Sequence, residues 1–218
     1  MPTFYYHPLS PIARRVWLAL LEKDIAFTPR IVDLKNRENF QPEYLAIHPF
    51  HHVPALVDRD LTLIESFAIL DYLDAKFPTR SLSPSEPAMI GQMKMVQLVV
   101  ANELMPLIPK LILLGDRDGG DGVLRERLDT VLKFLGEQLA GDYFGGEGLS
   151  LADITVGAAL PLIRRMGSDL RAYPSLDTWC DRVSARPAWQ QTEPSDEDLS
   201  AWRRWVNVMV RRRQRSAL

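Results

Sequence analysis

Cysteine is almost absent from this sequence of 218 residues, because Cys180 is the only one. A single cysteine excludes an intramolecular disulfide, a CxxC redox pair and a cysteine-rich zinc site. This usage is typical of proteins from a reducing compartment. The first residues also show neither the basic segment nor the apolar run of a secretory leader. We therefore expect a cytoplasmic location.

Strong net charge and long apolar runs are also missing. The 26 lysines and arginines against 28 acidic residues give a formal net charge of −2, so no overall field attracts nucleic acid or an anionic membrane. No apolar run approaches the roughly 20 residues that cross a bilayer. The arginine-rich residues 211–215 are typical of a solvated terminal tail. We therefore predict neither a nucleic-acid partner nor a membrane partner.

The first part of the chain alternates strand and helix patterns. A β-rich run over residues 3–6, a helical stripe after Ser10 and a second run over residues 27–32 predict a parallel strand–helix–strand unit. Two further runs, residues 55–57 and 61–64, lie so close together that they predict an antiparallel hairpin. We therefore predict a four-stranded mixed sheet with helices packed on it.

The second part of the chain is helical in pattern. Residues 79–87 are rich in proline and serine and predict a linker. Residues 88–218 then carry apolar helical stripes that predict helices over residues 88–114, 124–139, 151–166, 176–183 and 199–210. Pro106 and Pro109 are expected to kink or split the first long helix, and residues 115–122 to form a loop. Cys180 falls on one apolar stripe, which predicts an unreactive core thiol.

The turn at Ser10 has the pattern of a helix start. A serine followed by Pro11 and an apolar stripe fits the N-cap and first helical positions. The first-turn N–H groups and the helix dipole place roughly half a positive charge there. We therefore expect this turn to favour an anion, such as a thiolate.

Four short motifs occur in the same order as in one enzyme family. They are Ser10-Pro11-Ile12-Ala13-Arg14, Val53-Pro54-Ala55-Leu56, Glu65-Ser66 and Ser150-Leu151-Ala152-Asp153-Ile154. With them the chain resembles the cytosolic glutathione transferases that have a serine-type N-terminal turn. The resemblance implies an α/β thioredoxin-like glutathione-binding domain over residues 1–78, a linker over 79–87 and an all-helical domain over 88–218.

The resemblance also implies a glutathione site. Val53, before a cis Pro54, would pair with the cysteinyl part of glutathione by strand addition. Glu65 and Ser66 would hold the γ-glutamyl ammonium and carboxylate, the latter at a helix N-terminus. His51 would hold the glycine carboxylate. Three loop residues are alternatives for that last role: Lys35, Arg37 and Asn39.

The catalytic group implied by the resemblance is Ser10, as a hydrogen-bond donor to the glutathione thiolate. Tyr5 or Tyr6 at the end of the first strand is an alternative donor, and Arg14 is an alternative source of positive field. The nucleophile belongs to glutathione, so no histidine base is required. Three nearby histidines, His48, His51 and His52, lack the cysteine or HxxxH partners of a metal site, and we predict no metal.

The implied function is conjugation of glutathione to small hydrophobic electrophiles, that is, detoxification by a homodimer with no tightly bound cofactor. The helical domain would contribute a hydrophobic acceptor site. Its predicted lining is Leu9, Leu104, Met105, Ile108 and Trp205. The turn lacks the cysteine of thiol-transferring relatives and the serine-serine-cysteine-serine run of the isomerase branch. A non-catalytic scaffold and a glutathione-dependent peroxidase or dehalogenase stay open as alternatives.

The fourth motif has a structural interpretation. Ser150 and Asp153 have capping-box spacing, and replacement of either by alanine is expected to cost about 0.5–2 kcal/mol without a direct effect on binding.

Overall fold

The computed structural model describes residues 1–114 and 122–216. The contacts of the chain divide it into two compact units. The first comprises Met1–Ser83 together with Pro187–Thr192, and the second comprises Pro84–Arg186 and the residues from Glu193 onward. The loop predicted over residues 115–122 falls almost wholly outside the described residues.

The sheet of the first unit has four strands: β1 (Thr3–Tyr6), β2 (Thr28–Ile31), β3 (Ala55–Asp58) and β4 (Leu61–Ile64). Their order is β2-β1-β3-β4, with β1 parallel to β2 and antiparallel to β3. The β3–β4 pair is antiparallel. The predicted mixed sheet is therefore confirmed. Its parallel pair is joined by a helix, whereas its hairpin is joined by only two residues.

Helices of the first unit are α1 (Pro11–Glu22), α2 (Pro42–Leu45) and α3 (Ser66–Lys76). Two 3₁₀ turns, Glu38–Phe40 and Pro78–Arg80, lie outside these helices, and the second overlaps the predicted linker. α1 and α3 pack together on the sheet. The apolar core between these layers includes Phe4, Tyr6, Val16, Leu20, Ile69 and Leu73.

A buried ion pair joins the ends of α1 and α3. Lys23 Nζ lies 2.6 Å from Asp74 Oδ1, and the two side chains are 1% and 7% exposed. Lys23 also donates to the carbonyl of Arg80, and the Leu82 N–H donates to Asp74 Oδ1. Burial raises the pKa of Asp74, but these hydrogen bonds outweigh it and the pKa lies below its ordinary value. The pair thus also fixes the chain that follows α3.

The second unit is mostly helical, as predicted. Its helices are α4 (Pro87–Val99), α5 (Ile108–Leu114), α6 (Gly122–Gln138), α7 (Leu151–Gly157), α8 (Leu160–Arg165), α9 (Pro174–Ser184) and α11 (Asp196–Ser216), while α10 (Pro187–Thr192) groups with the first unit. None of the helices in the described residues is long and apolar enough to cross a membrane.

Two predicted long helices are interrupted. The first becomes α4, a π-helical turn over Val100–Leu104 and then α5, because Pro106 and Pro109 cannot donate to the helical ladder. The second, predicted over residues 151–166, breaks between α7 and α8 at Ala158-Ala159, just before Pro161. Helix α10 has no counterpart among the predicted elements.

Cys180 lies in the core of the second unit, as its apolar stripe predicts. Its side chain is fully buried on α9. Burial, the largest effect, raises the pKa of the thiol to about 12, so the reactive thiolate is scarce at neutral pH.

Candidate functional site

The turn between β1 and α1 places Ser10 at the helix N-terminus. Ser10 is the N-cap of α1, with extended backbone (φ −86°, ψ 111°) and Pro11 in the first turn. Its Oγ accepts a hydrogen bond from the Ala13 N–H at 3.2 Å. The preceding turn is held by the Ser10 N–H donating to the His7 carbonyl at 3.0 Å and by the Leu9 N–H donating to His7 Nδ1 at 3.2 Å.

Ser10 keeps a donor while it caps the helix. A hydroxyl has one hydrogen to donate and two lone pairs, and the Ala13 N–H occupies only a lone pair. The side chain is half-buried, so it retains accessible surface. Both properties are needed by a group that donates a hydrogen bond to a bound anion.

The two tyrosines occupy opposite faces of β1. Tyr6 lies in the core, 6% exposed, with its ring stacked on Phe4 at 4.8 Å and against Trp17 at 4.9 Å. Burial raises the pKa of the Tyr6 phenol. Tyr5 lies on the other face, with its ring edge-on to Tyr44. This packing favours Ser10 over Tyr6 as the donor, since a buried phenol presents little surface to a ligand.

Arg14 holds a neighbouring helix. Its guanidinium is 1% exposed, and its Nε and Nη2 donate to Thr192 Oγ1 at 3.1 Å and to the Trp189 carbonyl at 3.4 Å. These contacts attach α10 to α1 within the first unit. They favour a structural role for Arg14 over the alternative role as a source of field at Ser10.

Val53 and Pro54 precede β3. The Val53–Pro54 peptide bond is cis, as the resemblance implies. Both residues are buried and lie just outside the ladder that β3 forms with β1 and β4. In the described part of the chain, the backbone of Val53 makes no hydrogen bond to other backbone groups.

Glu65 and Ser66 begin α3. Glu65 is exposed and has left-handed backbone (φ 70°), and its side chain does not cap the helix. Ser66, 4% exposed, is the first helical residue, and its Oγ accepts a hydrogen bond from Arg15 Nη1 at 3.4 Å. The N-terminus of α3 therefore carries no side-chain cap, unlike that of α1.

Arg15 is a residue that the sequence analysis missed. Its side chain is 3% exposed, and its guanidinium carbon lies 5.0 Å from the centre of the Phe67 ring. A pair of arginines early in α1 is visible in the sequence, but no local pattern shows that both are buried. A helical-wheel comparison with the apolar stripe would have been the available signal.

His51 lies in the loop before Val53. It has left-handed backbone (φ 50°), is half-buried and stacks on Phe40 at 4.4 Å. The Asn39 side chain donates to the His51 carbonyl at 2.7 Å, so Asn39 supports the loop. Arg37, in turn, lies over the Phe40 ring at 4.6 Å, while Lys35 is exposed. His51, Arg37 and Lys35 thus remain the candidates for a carboxylate.

The predicted acceptor-site residues differ in accessibility. Leu104 and Ile108 are 0% and 4% exposed, whereas Met105 is half-buried. Leu9 is also half-buried, in the turn before Ser10. The Trp205 backbone is helical in α11, and its side chain lies outside the described part of the chain.

Comparison with known families agrees with these features. Residues 4–81 match the family model described as glutathione S-transferase, N-terminal domain, and residues 99–182 match glutathione S-transferase, C-terminal domain. The chain belongs to the glutathione S-transferase family. The predicted enzyme class, a glutathione transferase, and the predicted fold class, a thioredoxin-like domain followed by a helical domain, are thereby confirmed.

Individual relatives cover most of the chain. Glutathione S-transferase 3 of Zea mays is 35% identical over 205 residues, 86% of this chain and 91% of the relative. A probable maleylacetoacetate isomerase of Vibrio cholerae is 31% identical over 200 residues, 86% of this chain and 93% of the relative. A solved glutathione transferase homologue from sulfitobacter, with bound glutathione, is 28% identical, covers 88% of this chain and 97% of its own, and has a TM-score of 0.72.

Proposed function

We propose that this glutathione transferase joins the thiolate of glutathione to small hydrophobic electrophiles, with Ser10 as the donor to the sulfur. The observation that carries the proposal is the double role of the Ser10 hydroxyl, which accepts from the Ala13 N–H and keeps its own hydrogen for a ligand. A free thiol has a pKa of about 8.5. A donor and a helix N-terminus both stabilise the thiolate and so lower that pKa.

The rest of glutathione would lie along the first unit. Its cysteinyl backbone would pair with Val53, its γ-glutamyl group would bind Glu65 and Ser66, and its glycine carboxylate would bind His51. The helix N-terminus at Ser66 suits a carboxylate because first-turn N–H groups there have no capping side chain. In the reaction with an aryl halide the sulfur forms a bond to the ring carbon, and the halide departs with the bonding electron pair. With an isothiocyanate or an epoxide the sulfur bonds to carbon, and the displaced electron pair stays on the electrophile's own nitrogen or oxygen, which takes up a proton.

The electrophile is proposed to bind hydrophobic side chains. Of the predicted acceptor residues, Leu9 in the first unit and Met105 in the second keep accessible surface. The alternatives are a glutathione-dependent peroxidase or dehalogenase, a scaffold without catalysis, and isomerisation of the kind named for the Vibrio cholerae relative. Detoxification and a cytoplasmic location belong to the same proposal.

A homodimer is also proposed. Met89, Met95 and Leu98 on α4 are 39%, 40% and 51% exposed. Met95 and Leu98 line a shallow groove of about 440 Å³ together with Gly91, Lys94, Val99, Asn102 and Glu103. A second copy of the chain would cover this apolar surface, which is costly to leave in water.

The test combines binding with turnover. The purified protein is expected to bind immobilised glutathione, to show a lowered thiol pKa for bound glutathione by ultraviolet titration, and to conjugate members of a panel of aryl halides, isothiocyanates and epoxides. Hydroperoxides, which two molecules of glutathione reduce to the alcohol and water while they form a disulfide, test the peroxidase alternative. A maleylacetoacetate assay is run in parallel. Binding without any turnover would favour the scaffold, and failure to bind glutathione would refute the proposed function.

A further inference from the structure

A buried guanidinium behind the start of α3 lacks partners for most of its hydrogen-bonding groups. Arg15 is 3% exposed, and within the described part of the chain its Nε and Nη2 have no hydrogen-bond partner. Among the described residues no carboxylate forms an ion pair with it. Its polar contact in these residues is the 3.4 Å hydrogen bond from Nη1 to Ser66 Oγ, and its guanidinium carbon lies 5.0 Å from the centre of the Phe67 ring. A buried charge without a counterion is costly.

The position of the Arg15 guanidinium, next to the N-terminus of α3, indicates that its missing counterion is an anionic ligand. Ser66 is the first residue of an 11-residue helix with no side-chain cap, so N–H groups of its first turn are available to an anion. Arg15 lies behind the same serine and adds a full positive charge to the partial charge of the helix terminus. Burial lowers the pKa of Arg15 to about 10, so the guanidinium is still charged at neutral pH.

The hydrogen bond from Arg15 also orients the Ser66 hydroxyl. When an Nη1–H occupies one lone pair of Oγ, the hydroxyl hydrogen is directed away from the guanidinium. The Ser66 hydroxyl hydrogen is then available to an acceptor on a ligand, on the side away from Arg15. Because the guanidinium itself is buried, Arg15 acts on a ligand through Ser66 and through its charge.

We propose that Arg15 is a positioning residue for the γ-glutamyl α-carboxylate of glutathione. Ser66 contacts this carboxylate, and Arg15 strengthens the contact by orienting the Ser66 hydroxyl and by adding positive charge. This inference rests on the proposed function and deepens it, since it assigns the specificity of one end of the glutathione site. The ligand carboxylate would supply the counterion that the described residues do not provide. Arg15 therefore contributes to binding of glutathione at some cost to the stability of the ligand-free protein.

The test is a cycle of two proteins and two ligands. Wild type and Arg15→Met are titrated calorimetrically with glutathione and with an analogue that has γ-aminobutyryl in place of γ-glutamyl. The analogue keeps the amine and lacks the α-carboxylate. Wild type is expected to prefer glutathione, and Arg15→Met is expected to weaken glutathione binding about tenfold or more while leaving the Kd of the analogue nearly unchanged. Arg15→Lys, which retains a cation, should keep more of the preference.

Thermal unfolding of the ligand-free variants provides the control. Arg15→Met is expected to have a Tm equal to or above that of wild type, because it removes a buried charge without a counterion. The matched variant Arg14→Met, also a buried arginine of α1, is expected to have a lower Tm, because it loses the bonds to Thr192 and Trp189.

Two results would overturn the inference. One is a preference for glutathione over the analogue that is the same in wild type and Arg15→Met. The other is a Tm of Arg15→Met that falls as far as that of Arg14→Met, which would make Arg15 a structural residue. If wild type itself fails to bind glutathione, it is the proposed function that is refuted.

Discussion

The Ser10 side chain combines a structural role, as a helix cap, with a proposed functional role, as a hydrogen-bond donor. Its Oγ accepts the capping hydrogen bond from Ala13, which stabilises α1. Its hydrogen remains for the proposed bond to sulfur. A test of Ser10 therefore has to separate the loss of the cap from the loss of the donor.

A series of three substitutions makes that separation. Ser10→Ala removes cap and donor, and is expected to cost about 1 kcal/mol of unfolding free energy and at least about a tenfold loss of turnover, because the thiol pKa of bound glutathione rises. Ser10→Asp keeps a good cap but sets a negative charge beside the sulfur, so stability is retained and turnover is lost. Ser10→Thr keeps a hydroxyl that can both cap the helix and donate to the sulfur, so it should retain most activity.

Chemical denaturation and steady-state conjugation kinetics measure the two effects on each variant. Wild-type turnover in Ser10→Ala, once the folded fraction is accounted for, would show that the donor lies elsewhere.

At the scale of secondary-structure elements, the N-terminus of α7 makes more hydrogen bonds than its sequence motif predicts. Ser150 caps the helix and Asp153 completes the capping box. The Asp153 carboxylate, fully buried, also accepts from the Phe144 N–H and from Trp179 Nε1, each at 2.9 Å. Burial, the largest effect, raises the pKa of Asp153 despite these bonds. The motif therefore joins α7 to α9 and to the preceding loop.

The predicted equal cost of the two alanine substitutions changes accordingly. Ser150→Ala should cost about 0.5–2 kcal/mol, as for an ordinary cap. Asp153→Ala should cost more than about 3 kcal/mol, because donors of Ser150, Phe144 and Trp179 lose their acceptor in a buried site. Urea denaturation of the two variants measures the loss of unfolding free energy in each. Equal losses would contradict the contribution of Phe144 and Trp179.

At the scale of the whole molecule, the apolar surface of α4 is the basis of the proposed homodimer. Leu98 is about half exposed and lines one groove together with the exposed Met95, and a contiguous apolar patch marks a surface that another surface covers. A charge at this position would then be buried without a partner in the dimer.

Leu98→Glu is accordingly expected to convert the dimer to a monomer in size-exclusion chromatography with light scattering. Val123→Glu, at an exposed valine of α6, is the matched control and should leave the mass unchanged. A wild-type protein that is monomeric at micromolar concentration would contradict the homodimer proposal.

Local sequence patterns predicted most elements of the first unit. The N-cap of α1, the parallel strand pair and the hairpin follow from neighbouring residues, because capping, β-propensity and loop length act over a few positions. The interruption marked by Pro106 and Pro109 also follows from the local sequence, whereas the break before Pro161 was not predicted. Helix α10 was not, since its place beside α1 depends on contacts between residues more than 170 positions apart, Arg14 and Thr192.

By itself, then, the sequence determined the family, the order of the elements and the identity of Ser10 as a helix cap, all of which depend on short motifs. Only the tertiary structure decided which contacts each of the two adjacent arginines of α1 makes. Successive residues of a helix point in directions about 100° apart, so Arg14 meets α10 whereas Arg15 meets Ser66. Which of two identical side chains bonds Ser66 at the proposed anion site is a property of packing, and no local pattern encodes it.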